Sequence, residues 1–339
     1  MRATIHQIAK AAGVSIATVS RVLNKSNHPV NAETSRRVWQ VAADLGYRTN
    51  YVARGLRTER TRTIGVITDD IVSDFTPPIV RAVQDRLKKD GYYCVIISAD
   101  RNPITQAEAV DDMLARGVDG VVFVESWHHS ALGLLERAGR PYVYVHRQFE
   151  QTFYPSVVPD ESYGSRLAVQ HLLRLGHRRI AYINGPQHYY VSDIRLAGYR
   201  TELELASIAV DPALVQRGDW TVASGYQAMQ TILQQNERPT AVFVANDLMA
   251  VGALYAIQDA GLRTPQDVAI VGYDNRDIAA LVRPALTTVT LPCYEMGQEA
   301  AVVLLRLLAP NGHNPDHEDR TEVKVCGRLI VRQSCGALQ

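Results

Sequence analysis

From Thr63 onward the chain alternates short runs of Val, Ile and aromatic residues with amphipathic segments, and few folds satisfy that pattern. The apolar runs are TIGVIT (63–68), YYCVIIS (92–98), GVVFV (120–124), YVYVH (142–146), RIAYIN (179–184), AVFVA (241–245) and VAIVGY (268–273). Helical periodicity fills the intervals near 77–90, 105–116, 130–138, 163–175, 193–206, 222–235 and 247–260. Near-continuous β-branched runs are buried on both faces, which calls for parallel strands joined by crossover helices. The expected architecture is therefore α/β with doubly wound parallel sheets. Strand, helix and strand recur from 63 to 146 and again from 179 to 273. With 339 residues, too many for one simple core, two similar lobes are expected.

The first quarter reads differently. In TIHQIAKAAGVSIATVSRVLN (4–24), Thr4 and Gln7 form a capping box, and Ile5, Ile8, Ala9 and Ala12 recur at helical spacing. Gly13 ends that helix by adopting positive φ. Val14 is expected as a buried plug, and Ser15 caps a second helix with Val19, Val22 and Leu23 inward. Asn31 caps a third helix, Ala32 to Leu45, carrying Val38, Trp39, Val41, Ala42 and Leu45, with Gly46 as its stop. Two short helices on a three-residue turn form an all-α helix-turn-helix, a unit that lays its second helix in the DNA major groove. A solvated helical hairpin is the plainer alternative.

On the outward face of the second helix, Arg21 can pair bidentately with guanine, while Ile16 and Ala17 can touch a thymine methyl. Thr4, Ser15, Thr18, Ser20 and Asn24 are short polar groups suited to phosphate oxygens. Charge agrees with this division of labour. Residues 1–62 hold 11 Lys or Arg against 3 Asp or Glu, whereas the remainder holds 25 against 32. A basic head on an acidic body points to a polyanion partner for the head alone. Within 46–62, five arginines leave little to bury, so the stretch should be disordered in isolation. Asn50 can cap two turns of helix with Val52, Ala53 and Leu56 on one side, marginal until something docks it.

TIHQIAKAAGVSIATVSRVLN, followed by Y-x-x-N-x-x-A-R-x-L and the strand TIGVI, resembles the LacI/GalR family of bacterial transcription regulators. The resemblance implies a helix-turn-helix domain (1–47), a hinge helix or linker (48–61) and an effector-binding and dimerisation domain (62–339). It implies a periplasmic-binding-protein-like core crossing three times between lobes, near 157–161, 288–292 and 322–328. The N-lobe would comprise about 62–158 and 292–322, and the C-lobe about 159–288 and 326–339. It places the hinge helix in the minor groove, Asn50 and Ala53 beside it, with Leu56 wedged into a base step. Thr49 stands where the family usually has proline, and Gly55 costs the hinge helix about 1 kcal/mol. The implied activity is transcriptional regulation, as a repressor of a palindromic operator, controlled by a small-molecule effector, a sugar or sugar derivative. One helix-turn-helix reads a half-site, so a homodimer is expected. No leucine heptad follows LIVRQS, which disfavours a tetramer-forming tail.

Most effector candidates sit just after strands: they are Phe75, His146, Arg147, Arg195, Trp220, Asn246 and Asp274, with Tyr189 and Tyr190 on a loop that faces the cleft in the family. Aromatic faces cover C–H patches, while Arg, Asn and Asp make paired hydrogen bonds to neighbouring hydroxyls. R-L-x-G-Y, N-D-x-x-A-x-G and G-Y-D match the family closely. Plainer roles compete: Asn246 can cap a helix, Asp274 can end a strand, and Trp220 and Phe75 can be core aromatics. His146 replaces a frequent Asp, exchanging two acceptors for a donor and an acceptor.

Other classes fit poorly. No G-x-G-x-x-G follows a strand, and no Walker loop or G-x-S-x-G elbow appears, so neither an enzyme nor a cofactor is expected. Cys94, Cys293, Cys326 and Cys335 lack metal-ligand spacing and read as reduced thiols, so no metal is expected. Lys10 and Arg21 interrupt any signal-peptide core, and no apolar run approaches about 18 residues. That argues against a transporter's solute-binding protein and for the cytoplasm, with no membrane partner.

Overall fold

The computed structural model describes residues 3–23, 29–47, 60–125, 135, 138–147, 154–309 and 322–337. Asn24, Asn50, Ala53 and Leu56, together with the helix expected near 130–138 apart from Leu135 and Ala138, lie outside them. The chain divides into two compact units, Met1–Thr61 and Arg62–Gln339.

In the first unit, helices Ile5–Ala12, Ile16–Leu23 and Ala32–Asp44 pack around Ile8, Ala9, Ala12, Val19, Val22, Val38 and Ala42. The Thr4–Gln7 capping box is formed in both directions, and Gly13 turns the chain at φ 63. Ser15 Oγ accepts from the Thr18 amide at 3.1 Å, and Asn31 Oδ1 from Glu33 at 2.8 Å. Such caps contribute about 1 kcal/mol each, a large share of what a three-helix unit needs. Val14 is half-buried rather than a buried plug, because it packs on the rim of that cluster. Trp39 and Leu45 are apolar but 46% and 43% exposed, since Val38 and Ala42 occupy the inward side of the third helix.

The second unit contains two six-stranded sheets. Strands are β1 (Thr63–Thr68), β2 (Tyr93–Ser98), β3 (Gly120–Val124), β4 (Tyr142–Val145), β5 (Ser156–Pro159) and β6 (Ile180–Asn184). They continue with β7 (Val215–Arg217), β8 (Ala241–Val244), β9 (Ala269–Asp274), β10 (Thr287–Thr290), β11 (Glu322–Val325) and β12 (Leu329–Ile330). The first sheet runs β11-β5-β4-β3-β1-β2, all parallel. The second runs β12-β10-β9-β8-β6-β7, parallel except where β12 pairs antiparallel with β10. The central strands β3, β6 and β8 are buried along their whole length, as Val/Ile/Phe runs covered on both faces must be.

Helices Thr76–Lys89, Pro103–Ala115 and Cys293–Leu307 cover the first sheet. Glu161–Arg174, Tyr190–Leu205, Val222–Leu233 and Asp247–Asp259 cover the second. The chain passes between lobes after β5, after β10 and after β11. Each lobe is thus assembled from separated segments, and the carboxyl ends of β1, β6, β8 and β9 open onto the space between them.

Candidate functional site

A cleft of about 390 Å³ lies between the lobes, lined by residues that follow those strand ends. The structure brings eight of the expected residues to it: Phe75, His146, Tyr189, Tyr190, Arg195, Trp220, Asn246 and Asp274. It does not bring Arg147. That side chain is buried elsewhere, its Nη1 2.9 Å from Glu125 Oε2 and its guanidinium 5.3 Å from the Tyr144 ring. The Glu125 carboxylate, which follows the neighbouring strand β3, holds Arg147 there and away from the cleft. The expectation for Arg147 is corrected accordingly.

The C-lobe wall is built on a buried cation. Arg195 enters from the second turn of helix Tyr190–Leu205 and donates Nε and Nη2 to Glu161 at 2.7 and 3.0 Å. Its Nη1 donates to the Ala245 carbonyl, and its guanidinium lies 3.7 Å from the Tyr273 ring centroid. Both partners of this fork are almost solvent-free, 5% and 4% exposed. Asp274 completes the group at 3.9 Å from Nη2. Burial pushes the Asp274 carboxyl up to about 6, while Arg195 and Arg276 hold it from rising further.

Trp220 is seated beside Arg195, 6.0 Å from ring to guanidinium, and edge-on to Tyr189 at 6.0 Å. Its benzo edge lies where a Cβ on Gly185 would stand (2.1 Å), so that position must be glycine for the indole to fit. Asn246 Nδ2 donates to the Trp220 carbonyl at 3.1 Å while its Oδ1 caps helix Asp247–Asp259 through Met249. Asn246 therefore combines the capping role with a cleft-lining position, and acts on Trp220 directly. On the opposite wall Phe75 and His146 pack at 5.5 Å between centroids. Burial lowers the His146 pKa, so the ring is a neutral donor and acceptor.

His146, Trp220 and Asp274 all have positive φ (72°, 72° and 103°) although none is glycine. Such backbone costs roughly 1 kcal/mol or more per residue and tends to concentrate where side chains serve a site. Local sequence carried no sign of it. Sequence reasoning also missed Ser73, Arg101, Glu161, His188, Val191, Arg276 and Leu291 on the cleft wall as site residues. Glu161 and Arg276 matter most. Arg276 Nη1 meets Asp74 at 2.8 Å, its Nε is 3.4 Å from Asp274 Oδ2, and its guanidinium lies 4.7 Å from the Phe75 centroid. Arg101 pairs with Asp70 at 3.3 Å. Each cleft arginine thus has a carboxylate from the protein itself. Among the described residues no cluster of His, Cys, Asp or Glu could hold a metal ion, and all four cysteines are free.

In the first unit, Ile16, Ala17 and Arg21 are exposed on one face of helix Ile16–Leu23, with Thr18 and Ser20 half-buried beside them. Thr4 and Ser15 are exposed, but their hydroxyls are already engaged, Thr4 with Gln7 and Ser15 with Thr18.

Residues 4–50 match the family described as bacterial regulatory proteins, lacI family, and residues 169–335 match a periplasmic binding protein-like domain. Catabolite control protein A of Priestia megaterium is 33% identical over 336 residues, 98% of this chain and 99% of that protein. The lac repressor dimer bound to operator and the anti-inducer ONPF superposes with a TM-score of 0.79 at 31% identity, covering 99% of both chains. The transcriptional regulator CelR–cellobiose complex gives 0.68 at 34% identity, covering 98% of this chain and 100% of that one. Among the described residues no helix is long and apolar enough to cross a membrane.

Proposed function

The chain belongs to the LacI family of bacterial regulatory proteins, and from that premise we propose how this transcription regulator reads its operator and its effector. The effector is a neutral, polyhydroxylated molecule of sugar size. The observation that carries this is the pairing of Arg195, Arg276 and Arg101 with Glu161, Asp274, Asp74 and Asp70. An anionic ligand on Arg195 would have to displace Glu161 from a pair only 5% and 4% exposed, and separating a buried pair costs about 3–5 kcal/mol. A hydroxylated one needs only the remaining donors and acceptors plus the faces of Phe75, Tyr189 and Trp220. CelR in complex with cellobiose, a relative over nearly the whole chain, is consistent with that class.

The ligand would touch both lobes and so favour one lobe arrangement over another. Residues 48–61 would carry the difference to the head as a hinge, within a cytoplasmic homodimer that binds a palindromic operator, as the lac repressor dimer binds its own. Coupling of this kind is typically about 1–3 kcal/mol, or 5–150-fold in DNA affinity. Base discrimination would fall to Ile16, Ala17 and Arg21, phosphate contacts to Thr4, Ser15, Thr18, Ser20 and Asn24, and the minor-groove wedge to Leu56, with Asn50 and Ala53 beside it.

The test is a thermal-shift screen of the full chain against neutral mono- and disaccharides and their phosphorylated or oxidised counterparts, repeated with DNA. A ligand at 100 times its Kd stabilises by about 2.7 kcal/mol. Stabilisation by neutral sugars supports the reading; stabilisation confined to the charged counterparts refutes it.

A further inference from the structure

Arg276 belongs to the C-lobe by its backbone and reaches the N-lobe with its side chain. It follows β9, and its amide donates to Asp247 Oδ2 at 2.7 Å. Asp247 is in turn fixed by the Thr288 hydroxyl at 2.6 Å. Its guanidinium then crosses the cleft to Asp74, 202 residues earlier in the chain, which stands just before helix Thr76–Lys89 of the N-lobe. On the way it covers the face of Phe75 and lies against Asp274. A planar cation with fixed donors suits this triple task, whereas an ammonium would meet one partner at a time.

We propose that Arg276 is a positioning residue for effector recognition, clasping the two lobes through Asp74 while holding Phe75 and Asp274 in their cleft-facing places. It acts through those residues, so its effect is felt on both sides of the cleft. The clasp is also adjustable. Asp74 is 63% exposed, so solvent and salt screen that arm, and lobe opening remains accessible. The deep end, on Asp247 and Asp274, stays seated when the outer end releases.

The recognition part of this assignment rests on the cleft being the effector site, but the clasp is tested with no effector present. Amide hydrogen exchange would be followed in the full chain at peptides containing Phe75–Val80 and Asp274–Leu281. Arg276→Met and Asp74→Asn should each accelerate exchange on both sides roughly 2- to 5-fold, the range for one partly exposed ion pair. The double variant should match Arg276→Met, since the Asp74 contact is already lost in it. Arg276→Lys should recover part of the protection, and 1 M salt should mimic Asp74→Asn in the unaltered protein. Asp74 is a surface residue and its amide is isosteric, so this variant will fold. If Arg276→Met loosens only its own side, or Asp74→Asn leaves Phe75–Val80 unchanged, Arg276 is a local C-lobe support and the clasp is wrong. An effector-site failure would show elsewhere, as an unaltered ligand response in Asp274→Ala.

Discussion

Glu161→Gln keeps the shape of the side chain, removes its charge and turns one of its two acceptor oxygens into a donor, so it breaks the Arg195 fork without opening a cavity. In the folded protein Arg195 would then keep Ala245 O, the Tyr273 ring and Asp274 at 3.9 Å, but lose its nearest anion. Unit charges about 4 Å apart attract by about 4 kcal/mol at an effective dielectric constant near 20. Removing one member of a buried pair costs about 3–5 kcal/mol for the same reason. Asp274 takes up part of the loss, which puts the expected destabilisation at about 3 kcal/mol. At about 2–4 °C per kcal/mol for a large domain, Tm should fall by roughly 6–12 °C. Urea unfolding of Glu161→Gln, Arg195→Met and the double variant measures it, with the midpoint and slope fitted separately. The double variant should lose much less than the sum of the singles, because it leaves no unpaired charge. A loss in Glu161→Gln under about 1 kcal/mol, or simple additivity in the double, would refute the reasoning.

Arg21→Ala should cost about 1–3 kcal/mol on a specific operator in a gel-shift titration; an equal loss on random DNA would reassign Arg21 to phosphate. Leu56→Ala should reduce DNA bending in a circular-permutation assay while effector affinity stays unchanged. Asp274→Ala should abolish the effector response, and calorimetry showing intact effector affinity would contradict the cleft assignment. Burial raises the Asp247 carboxyl from 3.8 to about 8, so its contribution is complete below pH 3.8 and is lost as pH rises toward 8. Asp247→Asn should therefore flatten the decline in stability between pH 4 and 8, by at most about 1.4 kcal/mol per pH unit, as read by urea midpoints across that range.

The parallel core was legible because a strand buried on both faces has a composition no other element shares; all seven sequence-derived strands fall within a residue or so of the observed ones. What escaped were short or two-sided elements. β5 (SVVP) and β7 (VQR) are too brief to show a period, and helix Cys293–Leu307 lay in a stretch given to the N-lobe with no element assigned to it. Cleft residues announced by a strand end were findable, as Asp274 and Asn246 were. Glu161 and Arg276 were not. Their partners lie 34 and 202 residues away, and a first-turn glutamate or a loop arginine has no local signature of an ion pair. The fork on Arg195 becomes visible only when β5 delivers Asp160 and Glu161 to the head of the next helix.

The return of helix Cys293–Leu307 to the first lobe also sets a timetable. That helix packs on Thr76–Lys89 and against β3, β4 and β5, and β11 adds the edge of the same sheet only at residues 322–325. Although its first strand is among the earliest parts of the core to leave the ribosome, this lobe keeps an apolar face uncovered until residue 307 has been made. The second lobe waits longer still, for β12 at 329–330. A nascent chain stalled at residue 290 would thus lack the covering helix and edge strand of the first lobe and the edge strand of the second, leaving the first lobe the more exposed of the two.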